Sequence, residues 1–241
     1  MTQFDKCRII ILEVIVMRQS EFYSDYKKAR DTAWKVIFKY GISHLPVDVK
    51  KLCKDMNLLC YSYENGKELI ERYKLQPLTI NDGFSKIIKN RYVIFYNETI
   101  QPHARKRFTV AHEIGHIVLG HLAHDSTACR SGVSLWNRAG EEPNPIEAAA
   151  NVFASRLLAP ACVLHALDIH TAGEIASLCG LSNTAAEIRA KRMAELYARE
   201  REWLRTKGRS CFGVSPQERR ALAQFGQFIA EYKENEPNSA E

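Results

Sequence analysis

The stretch Arg107 to His121, RFTVAHEIGHIVLGH, decides how the chain is read. His112 and His116 stand four apart, which on a helix puts both on one face, where two imidazoles can bind a single cation. Glu113 follows the first histidine directly, close enough to reach a water on that cation without taking a coordination place. Zinc accepts such nitrogens at about 2.0–2.1 Å and lowers the pKa of a bound water to about 7. Glu113 can then take that proton as general base and deliver it to a leaving amine. A bare HExxH arises by chance in many helices, so the flanks carry weight. Phe108, Thr109, Val110 and Ala111 precede it and Ile117, Val118 and Leu119 follow, which predicts an apolar, buried helix. Two histidines and a glutamate buried there are costly unless paired or coordinated. Gly115, between the histidines, leaves room for another backbone to approach.

A catalytic zinc needs three protein ligands and one open position. His121 is the nearest further histidine, but it lies five residues after His116, with Gly120 at four. The extended motif HExxHxxGxxH needs glycine at three and histidine at six. On a continuing helix His121 points about 140° away from His116. His103 and His124 fall on expected loops. Glu147 is the better candidate, the only carboxylate between Ile146 and Leu167, at the head of NPIEAAANVFASRLLAP. A first-turn carboxylate also complements a helix dipole. However, Ala148, Ala149, Ala150 and Ala154 form a small-residue face that lets this helix lie close to the HExxH helix. Glu141 and Glu142 are fallback ligands, and His121 remains a candidate for stabilising an oxyanion or supporting a ligand from behind.

Working outward, residues 22 to 40 place Tyr26, Ala29, Ala33, Val36, Ile37 and Tyr40 at helical spacing, with Gly41 as the stop. Pro46 and Val47 open a second helix reaching Met56. Three strand-like segments follow, Leu58 to Tyr63, Gly83 to Ile88 and Arg91 to Tyr96, the last two joined by Lys89-Asn90 as a tight hairpin. Residues 64 to 82 are polar and ambiguous. A helix is predicted from Arg105 to Leu119, and a loop over residues 125 to 145. Pro145 then holds the first turn of a helix from Ile146 to Leu158 that Pro160 terminates. The pattern stays helical to about residue 206. Strands early and helices late predict an α+β fold, with a small three-stranded sheet, N-terminal helices and a mainly helical C-terminal part holding the HExxH helix. The expected division is an extension over 1–20, a domain over 21–200 and a basic helical extension with an acidic tail over 201–241.

The chain has 241 residues, 46% of them apolar and 26% charged, which excludes collagen-like, low-complexity and wholly disordered classes. Seven scattered cysteines without a CxxC pair make neither a disulfide framework nor a thiolate zinc site, so a reducing cytoplasm is the expected compartment. Ile9 to Met17, IIILEVIVM, is too short to span a bilayer and carries Glu13, so no membrane is expected; translation from Met17 is an alternative start. The net charge of +6 concentrates between Arg189 and Lys233, with eleven Lys/Arg against five Glu.

The stretches RFTVAHEIGHIVLGH and IEAAANVFASRLLAP together resemble the ImmA/IrrE family of prokaryotic metallopeptidases. Ala150-Asn151, Phe153-Ala154, Leu157-Leu158 and Pro160 match its second helix. HLPVDVKKLCKDMNL, DGFSKIIKNRYVIFYN and EIASLCGLSNTAAEIR are similar to further segments, so the resemblance spans roughly residues 25 to 195. Two positions depart: Ala149 stands where many relatives carry a second acid, and Ala159 where a bulky apolar residue is common. The resemblance implies a zincin-like fold, one zinc ion (or manganese) held by His112, His116 and Glu147, and Glu113 as catalytic glutamate. It also implies a cytoplasmic regulatory protease, often associated with phage or mobile elements, acting on a helix-turn-helix repressor. Such proteases hold an extended peptide against a sheet edge, here Arg91 to Tyr96 or Gly83 to Ile88.

A rival signal lies in GEIASLCGLSNTAAEIRAKRM, where Ala176, Gly180 and Ala186 have helix-turn-helix spacing, near 172–193. Read functionally, Ser182 to Arg192 enter a DNA groove and Arg189, Lys191 and Arg192 meet phosphates or bases. The protein is then a DNA-binding regulator with a structural or sensory metal site. The blander reading is a helical hairpin packed on the peptidase, and it is preferred.

Overall fold

A computed structural model describes residues 24–122 and 144–235. Ile9 to Met17 and the alternative Met17 start, residues 125–143 of the expected loop, His124, Glu141, Glu142 and residues 236–241 of the acidic tail lie outside the described residues.

The first helix, α1, covers 24–39. Asp48 caps α2 (Val49–Asp55) by accepting from Lys50 N and Lys51 N, so this helix starts after the Pro46-Val47 pair rather than on it. Strand β1 (Leu59–Ser62) follows. The ambiguous polar stretch holds α3 (Lys67–Arg72) and a 3-10 turn, Gln76–Leu78. Strands β2 (Gly83–Ile88) and β3 (Arg91–Tyr96) match the two predicted segments residue for residue. Lys89 and Asn90 both have positive φ, 48° and 60°, the backbone of a type I′ hairpin turn.

The sheet order is β1-β3-β2, with β1 parallel and β2 antiparallel to β3. Alternation divides its faces. Phe84, Val93 and Phe95 join Ile70 in one cluster, while Ile94 and its partner Ser85 look the other way, towards the main core. Helix α4 (His103–Leu119) lies on that second face, against β2 and β3. The approach is tight at Gly83, where a Cβ would stand 2.5 Å from Thr109 Cγ2 and 2.9 Å from the Phe95 carbonyl oxygen. Gly120, left-handed at φ 82°, stops α4.

Helix α5 (Pro145–Leu158) begins with Pro145 in its first turn and Asn144 accepting from Ile146 N. Pro160 lies just past its end and is also the N-cap of α6 (Ala161–Ala166). Residues Pro145–Ala166 are long and apolar enough to cross a membrane by composition alone. Here they form two core helices, with Ala150, Phe153, Ala154, Leu157 and Leu158 fully buried.

A capping box between Thr171 and Glu174 starts α7 (Ala172–Cys179), and Gly180 turns the chain at φ 60° into α8 (Asn183–Lys207), capped by Ser182. The residues of α8 facing inward are Ala186, Arg189, Met193 and Leu196, a helical stripe that seats it on the core. The expected division at 200/201 thus falls within one unbroken helix. Beyond it, α9 (Pro216–Gln224) and α10 (Gly226–Asn235) follow. Ala221 and Phe225 are fully buried in the main core. The fold is α+β, mainly helical with one small mixed sheet, and the HExxH helix sits between that sheet and α5.

Candidate metal centre

Helix α4 presents three buried polar side chains on adjacent turns: His112 (3% exposed), Glu113 (0%) and His116 (0%). Glu147, in the first turn of α5, comes to the same point. Its Oε2 lies 3.0 Å from His112 Nε2 and its Oε1 3.5 Å from His116 Nε2. The two Nε2 atoms are 2.9 Å apart. One donor atom from each of the three residues lies within 4.8 Å of the others. The closeness of α4 and α5 depends on Gly115, where a Cβ would meet Phe153 Cδ1 at 3.0 Å and the Ala150 Cα and carbonyl at 3.3 Å. The second backbone anticipated beside Gly115 is that of α5.

The outer nitrogens of the histidines are already engaged. His112 Nδ1 lies 2.8 Å from Asn151 Oδ1, which can only accept, so that nitrogen carries the proton and Nε2 keeps its lone pair. His116 Nδ1 faces His121 Nδ1 at 3.0 Å. His116 offers its Nε2 lone pair when Nδ1 donates to an unprotonated His121. Burial, followed by the His116 charge, holds His121 down to about 4, which keeps it neutral. Glu147 Oε1 is shut off from water without a hydrogen-bond partner. Two lone pairs and a carboxylate oxygen without a hydrogen-bond partner, brought to one point, are a donor set that could hold a divalent metal ion.

Without an ion the three groups share protons. Burial pushes Glu147 up, but its hydrogen bond to His112, the nearby His116 ring and the charges of both histidines outweigh this and hold it well below the carboxylate range. Burial pulls His112 down, and the Glu147 hydrogen bond together with the Glu113 and Glu147 charges carries it above its ordinary value.

Glu113 faces the sheet. Ser85 Oγ on β2 donates to its Oε2 at 2.7 Å, and both residues are fully buried. Sequence reading passed over Ser85, whose signal was a lone hydroxyl on the inward parity of an apolar strand. Asn151 was noted only as a match to a motif, and its bond to His112 supplies the reason for it.

The structure brings His112, Glu113, His116 and Glu147 together and sets His121 behind His116 rather than among the donors. His103 lies at the first residue of α4, beside Lys106. Of the basic residues that the rival reading placed on nucleic acid, Lys191 is exposed and Arg192 pairs with Glu195. Arg189 is 2% exposed and donates to the Ala159 carbonyl, which corrects its placement in a groove.

Comparison with curated proteins finds no match. A family model described as the IrrE N-terminal-like domain, a peptidase family, matches residues 70–191. That span is about half of the chain and runs from α3 into α8, enclosing β2, β3 and both helices of the metal centre. The chain belongs to the IrrE N-terminal-like peptidase family.

Proposed function

We propose that the protein is a zinc-dependent endopeptidase. The observation that carries this reading is the convergence of His112, His116 and Glu147, with Glu113 seated one residue away by Ser85. His112 and His116 bind the ion through Nε2 and Glu147 through its carboxylate; manganese is the alternative metal. The ion supplies Lewis acidity, drawing charge from a scissile carbonyl and making an attacking water acidic near neutral pH. Glu113 takes that water's proton at its carboxylate and returns it to the leaving amine. The Ser85 hydroxyl holds the carboxylate in place through the cycle.

Strand order supports β2 as the docking edge. β3 is flanked on both sides, whereas β2 stands at one end of the β1-β3-β2 order, and its Ser85 touches Glu113. A substrate segment lying along Gly83–Ile88 adds a strand there, and its side chains select the sequence. The substrate class we infer is a helix-turn-helix repressor of a phage or mobile element, cleaved in the cytoplasm. The rival reading as a DNA-binding regulator is weakened by the inward course of Arg189.

The test is incubation of metal-loaded protein with the repressor encoded beside its gene, followed by mass analysis of fragments. Glu113→Gln retains the ion and loses nearly all cleavage, of order a thousandfold or more. His116→Ala loses both. Cleavage by Glu113→Gln at the unaltered rate refutes the mechanism.

A further inference from the structure

The arginines of α8 that the peptidase reading leaves unused gather at one place. Arg30 on α1, Arg156 on α5 and Arg189 and Arg192 on α8 stand close enough to act on one another. Burial and neighbouring guanidinium charges push Arg156 and Arg189 below their ordinary value. Their shared neighbour is the phenol of Tyr26, which accepts from Arg156. Burial raises the Tyr26 hydroxyl, and the charges of Arg156, Arg192 and Arg189 more than reverse that. Nε of Arg189 and of Arg192 are shut off from water without a hydrogen-bond partner. The nearby carboxylates already have partners, two of them within the cluster itself. Asp31 pairs with Arg30 at 2.8 Å, Glu195 pairs with Arg192, and Glu218 accepts from Ser215 N at the head of α9. Among the described residues Arg156, Arg189 and Arg199 have no carboxylate partner. Only the fold holds so many like charges together, and an anion between them relieves the repulsion.

A pocket of about 350 Å³ opens beside this cluster, a volume suited to a small ligand. Arg30 and Trp34 of α1, Arg156 of α5, and Arg199 and Trp203 of α8 line it. Asp31 of α1 and the start of α9 (Ser215, Gln217, Glu218) also line it. Asp31 is paired with Arg30 and Glu218 with Ser215 in a capping box, which leaves Arg156 and Arg199 as the lining cations with no carboxylate partner among the described residues.

We propose that this pocket binds a small phosphate-bearing anion, gripped by the guanidinium forks of Arg30, Arg156 and Arg199. A phosphate supplies two negative charges and three acceptor oxygens, enough to engage several forks at once. The site is separate from the metal centre: Arg156 follows Glu147 by nine residues on α5, about 14 Å along the helix.

The test titrates the full chain with inorganic phosphate and, separately, with AMP, against chloride at matched ionic strength, reading melting temperature and heat of binding. A saturable rise in melting temperature is expected with both compounds. Tighter binding of AMP identifies a nucleoside phosphate, and equal binding identifies the phosphate group alone. Arg199→Ala (exposed) and Arg30→Ala (half-buried), both outside the apolar core, weaken binding by about tenfold or more. Lys191→Ala, on the outer face of α8, leaves it unchanged. Absence of saturable binding by either compound overturns the proposal. So does binding that survives Arg199→Ala and Arg30→Ala, because the anion then sits elsewhere.

Discussion

Asn151 and His121 decide which nitrogen each histidine of the candidate metal centre offers, although neither is itself among the candidate donors. Asn151 accepts from His112 Nδ1 and His121 faces His116 Nδ1, so each inward Nε2 keeps a lone pair. Removing such a partner costs about 10–100-fold in metal affinity. Asn151→Ala and His121→Phe are therefore expected to weaken zinc binding within that range while leaving the fold intact, as measured by competition with a chromophoric chelator. Titration of the donor set has a definite sign. In the metal-free protein the depressed Glu147 stabilises the fold above its unfolded value of about 4.3 and loses that contribution as pH falls. The raised His112 stabilises it below its unfolded value of about 6.5 and loses that contribution as pH rises through the folded value. Metal binding needs the unprotonated imidazoles, so it has the opposite dependence above that point. The gap in melting temperature between zinc-loaded and chelator-treated protein should widen from pH 6 to pH 8, a range bracketing the free histidine value of about 6.5. A flat gap would show that the three groups do not share protons.

Two glycines set the distances between elements, Gly83 between β2 and α4 and Gly115 between α4 and α5. At Gly115 a larger side chain has to displace Phe153 or the Ala150 backbone of α5, and with it Glu147. Gly115→Val is expected to destabilise the protein by about 1–3 kcal/mol and to lower metal affinity, both measurable by urea denaturation with and without zinc. Unchanged affinity would mean that the α4–α5 spacing does not control the site. The strand hairpin, α4 and α5 were legible because local rules govern them: alternation for β2 and β3, an apolar 3.6 period for α4, and a first-turn proline for α5. Glu147 was legible because it stands alone in an apolar helix. Ser85 was not, since its importance comes from parity across a sheet and from a helix that sequence cannot place against it. The inward turn of Arg189 was hidden for a similar reason. The sequence stripe Ala186, Arg189, Met193, Leu196 contains one charge, and only the packed core shows that the charge lies inside.

At the scale of the molecule, the C-terminal helices close the core rather than extend from it. The side chain of Gln224, at the end of α9, donates to the carbonyls of Ile37 and Ile42 at 2.9 and 2.6 Å, tying the C-terminal helices to the end of α1. The next residue, Phe225, is fully buried in the cluster that also holds Ile114 of α4 and Phe153 of α5. A helical tail added to a finished domain would be dispensable, whereas one filling the same core shares its cooperative unfolding. Phe225→Ala should cost about 3–5 kcal/mol, a large fraction of the stability of a domain this size. Gln224→Ala leaves two carbonyls without that donor and should cost about 1–3 kcal/mol. Both losses are read from urea unfolding followed by far-ultraviolet circular dichroism. A chain ending at residue 207, after α8, should lose the sharp melting transition and with it the zinc-dependent rise in melting temperature, because α1, α4 and α5 no longer pack against a complete core. If that shortened chain melts cooperatively and still gains stability from zinc, the C-terminal helices are an appendage, and the metal centre is supported by residues 24–207 alone.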